Sequence, residues 1–121
     1  CDEFSGSDGD LFAHKFKSMK LGTLIGRRTW GGVVGIAPSH GLVDGTMVTQ
    51  PEFYHYFNDV GWELENNGAI PDIVVDMPPQ VIVRGEDPQL DKAIAVVMEQ
   101  LEQNPPQKPD LPLHPRRNYQ K

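Results

Sequence analysis

Apolar residues recur at Phe12, Phe16 and Met19, the i, i+4, i+7 spacing of one helical face, behind an opening stretch of acids, hydroxyls and glycines. The pattern predicts a helix from about Asp8 to Gly22, with Asp8 and Asp10 at its positive end and Lys15, Lys17 and Lys20 toward its negative end. Between Gly22 and Gly45 the chain holds seven glycines, with short β-type runs at Thr23 to Ile25 and Val33 to Ile36. Met47 to Phe57 mixes β-branched and aromatic residues around Pro51, which fits an edge strand or one entering a bulge. Ile73 to Asp76 and Val81 to Arg84 read as further short strands, separated by Pro78 and Pro79. A second helix opens with Asp87 as N-cap and Pro88 as its first residue. It carries Leu90, Ile94, Val97, Met98 and Leu101 on one face, expected to dock on the core, and ends at Asn104 before Pro105-Pro106.

Beyond it Pro109, Pro112 and Pro115 alternate with polar and basic residues, so residues 105–121 read as an extended, Pro-rich tail to a folded unit at 1–104. Residue 1 leads straight into a polar turn and a helix, with no hydrophobic strand before it. The helix needs a sheet to lie on, so the chain reads as the C-terminal part of a larger unit and is expected to pair its open apolar edge with a partner.

Composition narrows the function classes. The 121 residues carry 11 Lys+Arg against 17 Asp+Glu, and the only basic cluster is Arg116-Arg117, which argues against a nucleic-acid or anionic-membrane surface. No apolar run approaches the roughly 20 residues of a membrane span, and no leader pattern is read at the start. One cysteine, Cys1, excludes an internal disulfide and a cysteine-based zinc site. The four histidines lack zinc-site spacing, and Asp44, Asp59, Asp72 and Asp76 are too scattered for a calcium loop, so neither metal nor cofactor is expected. The glycines match neither a dinucleotide fingerprint nor a Walker loop.

The segment Asp2-Glu3-Phe4-Ser5-Gly6-Ser7-Asp8-Gly9-Asp10 sets a serine in a small-residue turn at a helix start, where unpaired N–H groups and the dipole favour developing negative charge. Acyl-transfer chemistry uses that geometry; a helix start equally uses Ser as a cap. His14 lies six residues past Asp8 on the same helix, a rise of about 9 Å, too far to serve Ser7 as a base. His40 and His55 read as satisfied polar residues, and His114 lies in the tail.

Several longer blocks are distinctive: Glu3 to Asp10, Thr29-Trp30-Gly31-Gly32-Val33-Val34-Gly35-Ile36, Leu42 to Gly45 with Thr49 to Phe53, Gly61-Trp62-Glu63-Leu64-Glu65-Asn66 with Pro71-Asp72-Ile73, and Arg84 to Leu90. In this order, over almost the whole chain, they resemble the C-terminal catalytic region of the tricorn proteases, within the tail-specific, C-terminal processing serine peptidases. The resemblance implies an α/β fold of the ClpP and crotonase type, and a cytoplasmic, hexameric serine endopeptidase that cuts oligopeptides released by the proteasome. It places the nucleophile on Ser7, an oxyanion N–H on Asp8, and on Glu65 the acid that orients the histidine through a serine. That histidine, its serine and a second oxyanion N–H lie upstream in such enzymes, so this chain alone is expected to be inactive and to need the upstream part of the same protein. Gly31, Gly32, Gly35 and Ile36 are candidates to pair with an extended peptide substrate, or equally form a packed turn and strand. Trp30 and Trp62 read as core or interface aromatics. Two rivals remain: a non-catalytic assembly or peptide-binding module, and a crotonase-like acyl-CoA enzyme, against which stands the lack of an adenine or phosphate signal.

Overall fold

The computed structural model describes residues 1–111; His114, Arg116, Arg117 and the last two tail prolines lie outside them. The elements are α1 (Asp8–Ser18), β1 (Ile25–Gly26), β2 (Gly35–Gly41), β3 (Met47–Phe53), β4 (Ile73–Val74), α2 (Pro79–Val83) and α3 (Pro88–Gln103). Mixed helix and strand agree with the α/β class. β1 pairs parallel with β4, Ile25 opposite Ile73 and Gly26 opposite Val74. On its other edge the Cys1 nitrogen donates to the Ile25 carbonyl, and the Cys1 carbonyl accepts from the Arg27 N–H, each at 2.9 Å. That is the slanted pattern of a parallel pair. Cys1, β1 and β4 thus lie side by side, and the opening turn is aimed from one of them. β2 and β3 form a separate antiparallel hairpin with register shifts on either side of Ile36-Ala37, one of them next to the Ile36–Pro51 pair. Pro51 has no N–H to give, so it sits where the ladder is broken.

α1 stops at Ser18, four residues before the glycine expected to end it. The Lys20 N–H bonds the Lys17 carbonyl and the Leu21 N–H reaches back to Phe16, at 2.9 and 3.1 Å, with Lys20 at φ 54°. This double bond is the Schellman stop, made here with lysine where glycine is the usual residue. The face α1 buries also differs from the expected stripe. Asp10, Ala13 and His14 point inward, while Phe12 and Met19 are exposed and Phe16 is half-buried against the core. Polar tethers choose that face: Asp10 is bonded to a neighbouring loop and His14 to Asp59, and Phe12 lies on the far side of the helix.

The run expected as a strand at Val81 to Arg84 is helical. Pro79 occupies the first position of α2, where its fixed φ fits and its missing N–H costs nothing. The Gly85 N–H then bonds the Ile82 carbonyl and the Glu86 N–H the Val81 carbonyl, with Gly85 at φ 71°, closing a second Schellman stop. Two prolines and a glycine at the ends outweigh the β preference of the Val-Ile-Val between them. β2 begins later than the Val33 start expected of it, because the Val33 and Val34 amides are drawn to a carboxylate.

α3 starts as its sequence implies, Asp87 accepting from the Leu90 N–H at 2.9 Å. Its apolar face does not dock on the core: Leu90, Ile94, Val97, Met98 and Leu101 are all exposed. The buried core is Ala13, Leu24, Val33, Leu64 and Ala69, with Cys1, Leu11, Phe16, Phe57 and Val60 packed around it. So small a core holds α1 and the loops around β1 and leaves the outer helix uncovered.

Lys20 invites a direct test. An L-residue in the left-handed region costs about 1–2 kcal/mol, partly offset in the glycine variant by its freer unfolded chain. Lys20→Gly should therefore raise stability, by roughly 0.5–1 kcal/mol in denaturant unfolding. A loss of stability would show that Lys20 makes a contact worth more than the strain.

Candidate active site

Ser7 stands between the opening turn and α1 at φ 52°, ψ −114°. A non-glycine residue there is strained by about 1–3 kcal/mol, and such conformations persist only where the surroundings over-determine them. The same sharp strand-to-helix turn presents the serine of a nucleophile elbow. Ser7 makes no side-chain cap bond, so the capping alternative does not account for it. Its side chain is exposed, and the Asp8 N–H beside it has no partner among the described residues.

The turn is fixed from several sides. Asp2 Oδ1 accepts from the Phe4 and Ser5 N–H groups and from the Ser5 hydroxyl, at 3.1, 3.0 and 2.9 Å. The Trp30 N–H donates to the Ser5 carbonyl at 3.0 Å. The Trp30 ring lies on Gly6 and Gly32, where an added Cβ would sit 2.5 and 2.7 Å from ring carbons. Only glycine lets the indole approach this closely. Trp30 is thus not a core residue but a brace across the turn, with its outer face exposed.

Behind Ser7, four consecutive amides form a strap. The Gly31 and Gly32 N–H groups donate to the two oxygens of Asp10, at 2.8 and 3.1 Å. The Val33 and Val34 N–H groups both donate to Glu65 Oε2, at 2.7 and 2.9 Å. Asp10 is completely buried and Glu65 half-buried. Asp10 belongs to the first turn of α1, and Glu65 to the turn after Trp62, whose next residue Asn66 has φ 67° and donates to the Gly31 carbonyl at 2.7 Å. Residues 58 positions apart in sequence, Ser7 and Glu65, are thereby linked through one four-residue segment.

Thr29, also fully buried, locks the strap's entry. Its N–H donates to the Ala69 carbonyl at 3.0 Å and its hydroxyl accepts from the Ala69 N–H at 2.7 Å. Arg28 Nη1 spans the carbonyls of Thr29, Trp30 and Asn67, at 3.0, 3.2 and 2.7 Å. In the sequence Asp10 reads as a helix-dipole charge and Thr29 only as the start of a longer block, while Arg28 carries no signal. Nothing in the spacing says that an acid at the third helical position faces a loop twenty residues on.

The other expected residues divide. Gly31 and Gly32 have their amides engaged by Asp10, so they cannot offer N–H groups to a peptide. Gly35 and Ile36 open β2, paired on one edge with β3; Ile36 is exposed, and the Phe53 ring covers Gly35. No described histidine is bonded to Ser7. His14 Nε2 lies 3.2 Å from Asp59 Oδ1 with its ring edge on Phe57, and His55 sits between Phe53 and Phe57. His40 is exposed on β2. A 630 Å³ cavity beside His14 and Asp59 includes neither Ser7 nor Glu65. A second, of 430 Å³, is lined by Tyr54, Trp62, Glu65 and Asn66. Among the described residues no cluster of His, Cys, Asp and Glu is arranged to hold a metal ion, and no helix is long and apolar enough to cross a membrane.

The model of peptidase family S41 matches residues 1–75. The chain belongs to this family. It is 56% identical over 100 residues to a tricorn protease homolog of Saccharolobus solfataricus, covering 83% of this chain and 9% of the relative. It is 50% identical over 101 residues to the tricorn protease of Thermoplasma volcanium, covering 84% of this chain and 10% of that protein. A crystal structure of the tricorn protease superposes with a TM-score of 0.79 at 51% identity, over 83% of this chain and 10% of that one. The S41 chain therefore spans about a tenth of the length of the curated relatives it matches. The tricorn resemblance read from the sequence blocks holds over most of its length.

The far end of α1 carries a pH-sensitive anchor. Asp72 accepts from the Leu24 N–H at 2.9 Å and pairs with Lys17 at 3.0 Å. The Leu24 bond first, and Lys17 second, hold its carboxyl below the usual range. A depressed folded-state pKa gives stability that is complete above the unfolded value, near 3.9, and is lost as pH falls through the folded one. Asp72→Asn should lower the melting temperature at pH 6 and flatten its fall as the pH drops below about 4. Parallel acid limbs for the variant and the unsubstituted protein would contradict the assignment.

Proposed function

We propose that this chain is the nucleophile-bearing part of a serine peptidase that cleaves oligopeptides. The observation that carries the reading is Ser7 itself: a serine held at φ 52° at a helix start, exposed, with no capping bond. A backbone that bears strain without using the hydroxyl as a cap leaves that hydroxyl for chemistry.

In this reading Ser7 Oγ attacks the scissile carbonyl carbon. Its proton passes to a histidine supplied by the upstream part of the same protein. The Asp8 N–H, at the positive end of α1, donates to the carbonyl oxygen as it becomes an oxyanion. The imidazolium then protonates the leaving amine, and water releases the acyl group by the reverse proton route. Glu65, its Oε2 held by two strap amides, orients that histidine through an intervening serine. The open edge of β2 at Gly35 and Ile36 receives the peptide backbone. The fold is of the ClpP and crotonase type, and residues 1–104 form the catalytic-domain portion, with 105–121 as its tail.

The exposed apolar face of α3, together with Phe4, Trp62 and Tyr54, supports assembly with the rest of the protein and with further copies, a cytoplasmic homo-hexamer in the tricorn pattern. It gives the assembly-module alternative no separate advantage, because a catalytic fragment of a long protein must expose such a surface.

The test uses the whole protein that contains this chain. A fluorophosphonate should modify Ser7. Ser7→Ala should abolish both modification and oligopeptide cleavage and leave the melting temperature within a few degrees, since no cap bond is lost. Glu65→Gln should lower kcat more than it raises KM. The 121-residue chain alone should show no turnover, lacking a base contribution of about 10²–10⁴. Cleavage retained in Ser7→Ala would place the nucleophile elsewhere.

A further inference from the structure

Asp10 is the most deeply buried charged side chain among the described residues, with no solvent exposure. It sits three residues after Ser7, on the first turn of the same helix, and no cation among the described residues pairs with it. Both its oxygens are occupied by backbone donors, Gly31 at 2.8 Å and Gly32 at 3.1 Å. A carboxylate so placed is costly to bury unless donors meet it, and those two amides do. The amides in turn have no strand partner. Gly31 is at φ 89°, and an added Cβ there would lie 2.7 Å from the Gly68 nitrogen, so this backbone is pressed into one conformation.

The next two amides of the segment belong to Glu65. We infer that Asp10 is a positioning residue for the Ser7 site: by fixing Gly31 and Gly32 it sets the strap that holds Glu65 and fastens the strained Ser7 turn from below. The inference rests on reading Ser7 as the nucleophile. Asp10 touches no reacting atom and acts through two others. Its charge matters as well as its shape. An amide in its place keeps one acceptor and turns an NH2 toward a backbone N–H, donor against donor, so one end of the strap is released.

The experiment compares the unsubstituted whole protein with Asp10→Asn and Asp10→Glu. Active sites are titrated with a fluorophosphonate, and kcat and KM for an oligopeptide are expressed per titrated site. Asp10→Asn should lose about 10–100-fold in kcat per site with KM changed less than threefold, as a misplacement of the order of 1 Å does. Asp10→Glu, which keeps the charge and both acceptors on a longer stem, should lose clearly less. A purely structural role would lower the melting temperature and the fraction of titratable sites and leave kcat per site unchanged. That result overturns the inference while the serine reading stands. Should Asp10→Asn fail to fold, Asp10→Glu decides: an unchanged kcat per site overturns the inference, and a reduced one supports it. If the reagent does not modify Ser7 in the unsubstituted protein, the serine reading fails and takes the positioning role with it.

Discussion

Four successive backbone amides, Gly31 to Val34, are claimed by two carboxylates, and the site hangs from that arrangement. A buried anion without donors costs several kcal/mol, and buried amides without acceptors cost about 1–3 kcal/mol each. Brought together, each removes the other's penalty. The bonds are charge-assisted, short and directional, so they fix geometry where the buried hydrophobic cluster among the described residues is small, Ala13, Leu24, Val33, Leu64 and Ala69. Asp10 ties the strap to the helix that begins at Ser7, and Glu65 ties it to the turn between Trp62 and Gly68. Thr29, Arg28 and the Trp30 ring then hold the strap's entry against the same two segments.

This explains how unusual backbone is held at the site. Ser7, Gly31 and Asn66 all have positive φ: Gly31 is itself bonded to Asp10, Asn66 follows Glu65, and Ser7 lies three residues before Asp10 on the same turn. A hydrophobic core of this size would not hold three such conformations, since apolar packing is non-directional. The apolar residues instead lie outward, on α3 and on the aromatic surface of Tyr54, Tyr56 and Trp62. The chain thus invests its polar groups in a precise interior and leaves many of its large apolar groups exposed.

Local signals in the sequence were legible where the deciding interaction is itself local. The Asp87–Pro88 start of α3 depends on residues three apart, and the acid-first, lysine-last order of α1 on its own dipole. The Ser7 turn and Glu65 stood out through long blocks shared with known peptidases. Sequence reading failed where a distant partner decides. The Phe12-Phe16-Met19 stripe has ideal helical spacing, yet the inward face is the one carrying Asp10 and His14, whose partners lie in other segments. Val81-Ile82-Val83 has β composition, but Pro79 and Gly85 at its ends impose a helix. The stripe on α3 promised burial and finds none among the described residues, because periodicity tells which side is apolar and not what covers it. Asp10 was read only as a dipole charge, since no spacing rule links it to Gly31 and Gly32.

Coupling between the two carboxylates is the most direct measure of the account. If Asp10 and Glu65 act through one strap, releasing either end already loosens the other, and their effects on turnover cannot multiply. The measurement is a double-mutant cycle on kcat per titrated site in the whole protein: Asp10→Asn, Glu65→Gln and the pair. The account predicts that the double variant lies within about threefold of the slower single variant. Losses that multiply, the double variant falling by the product of the two single effects, would show that Asp10 and Glu65 act independently and would contradict it.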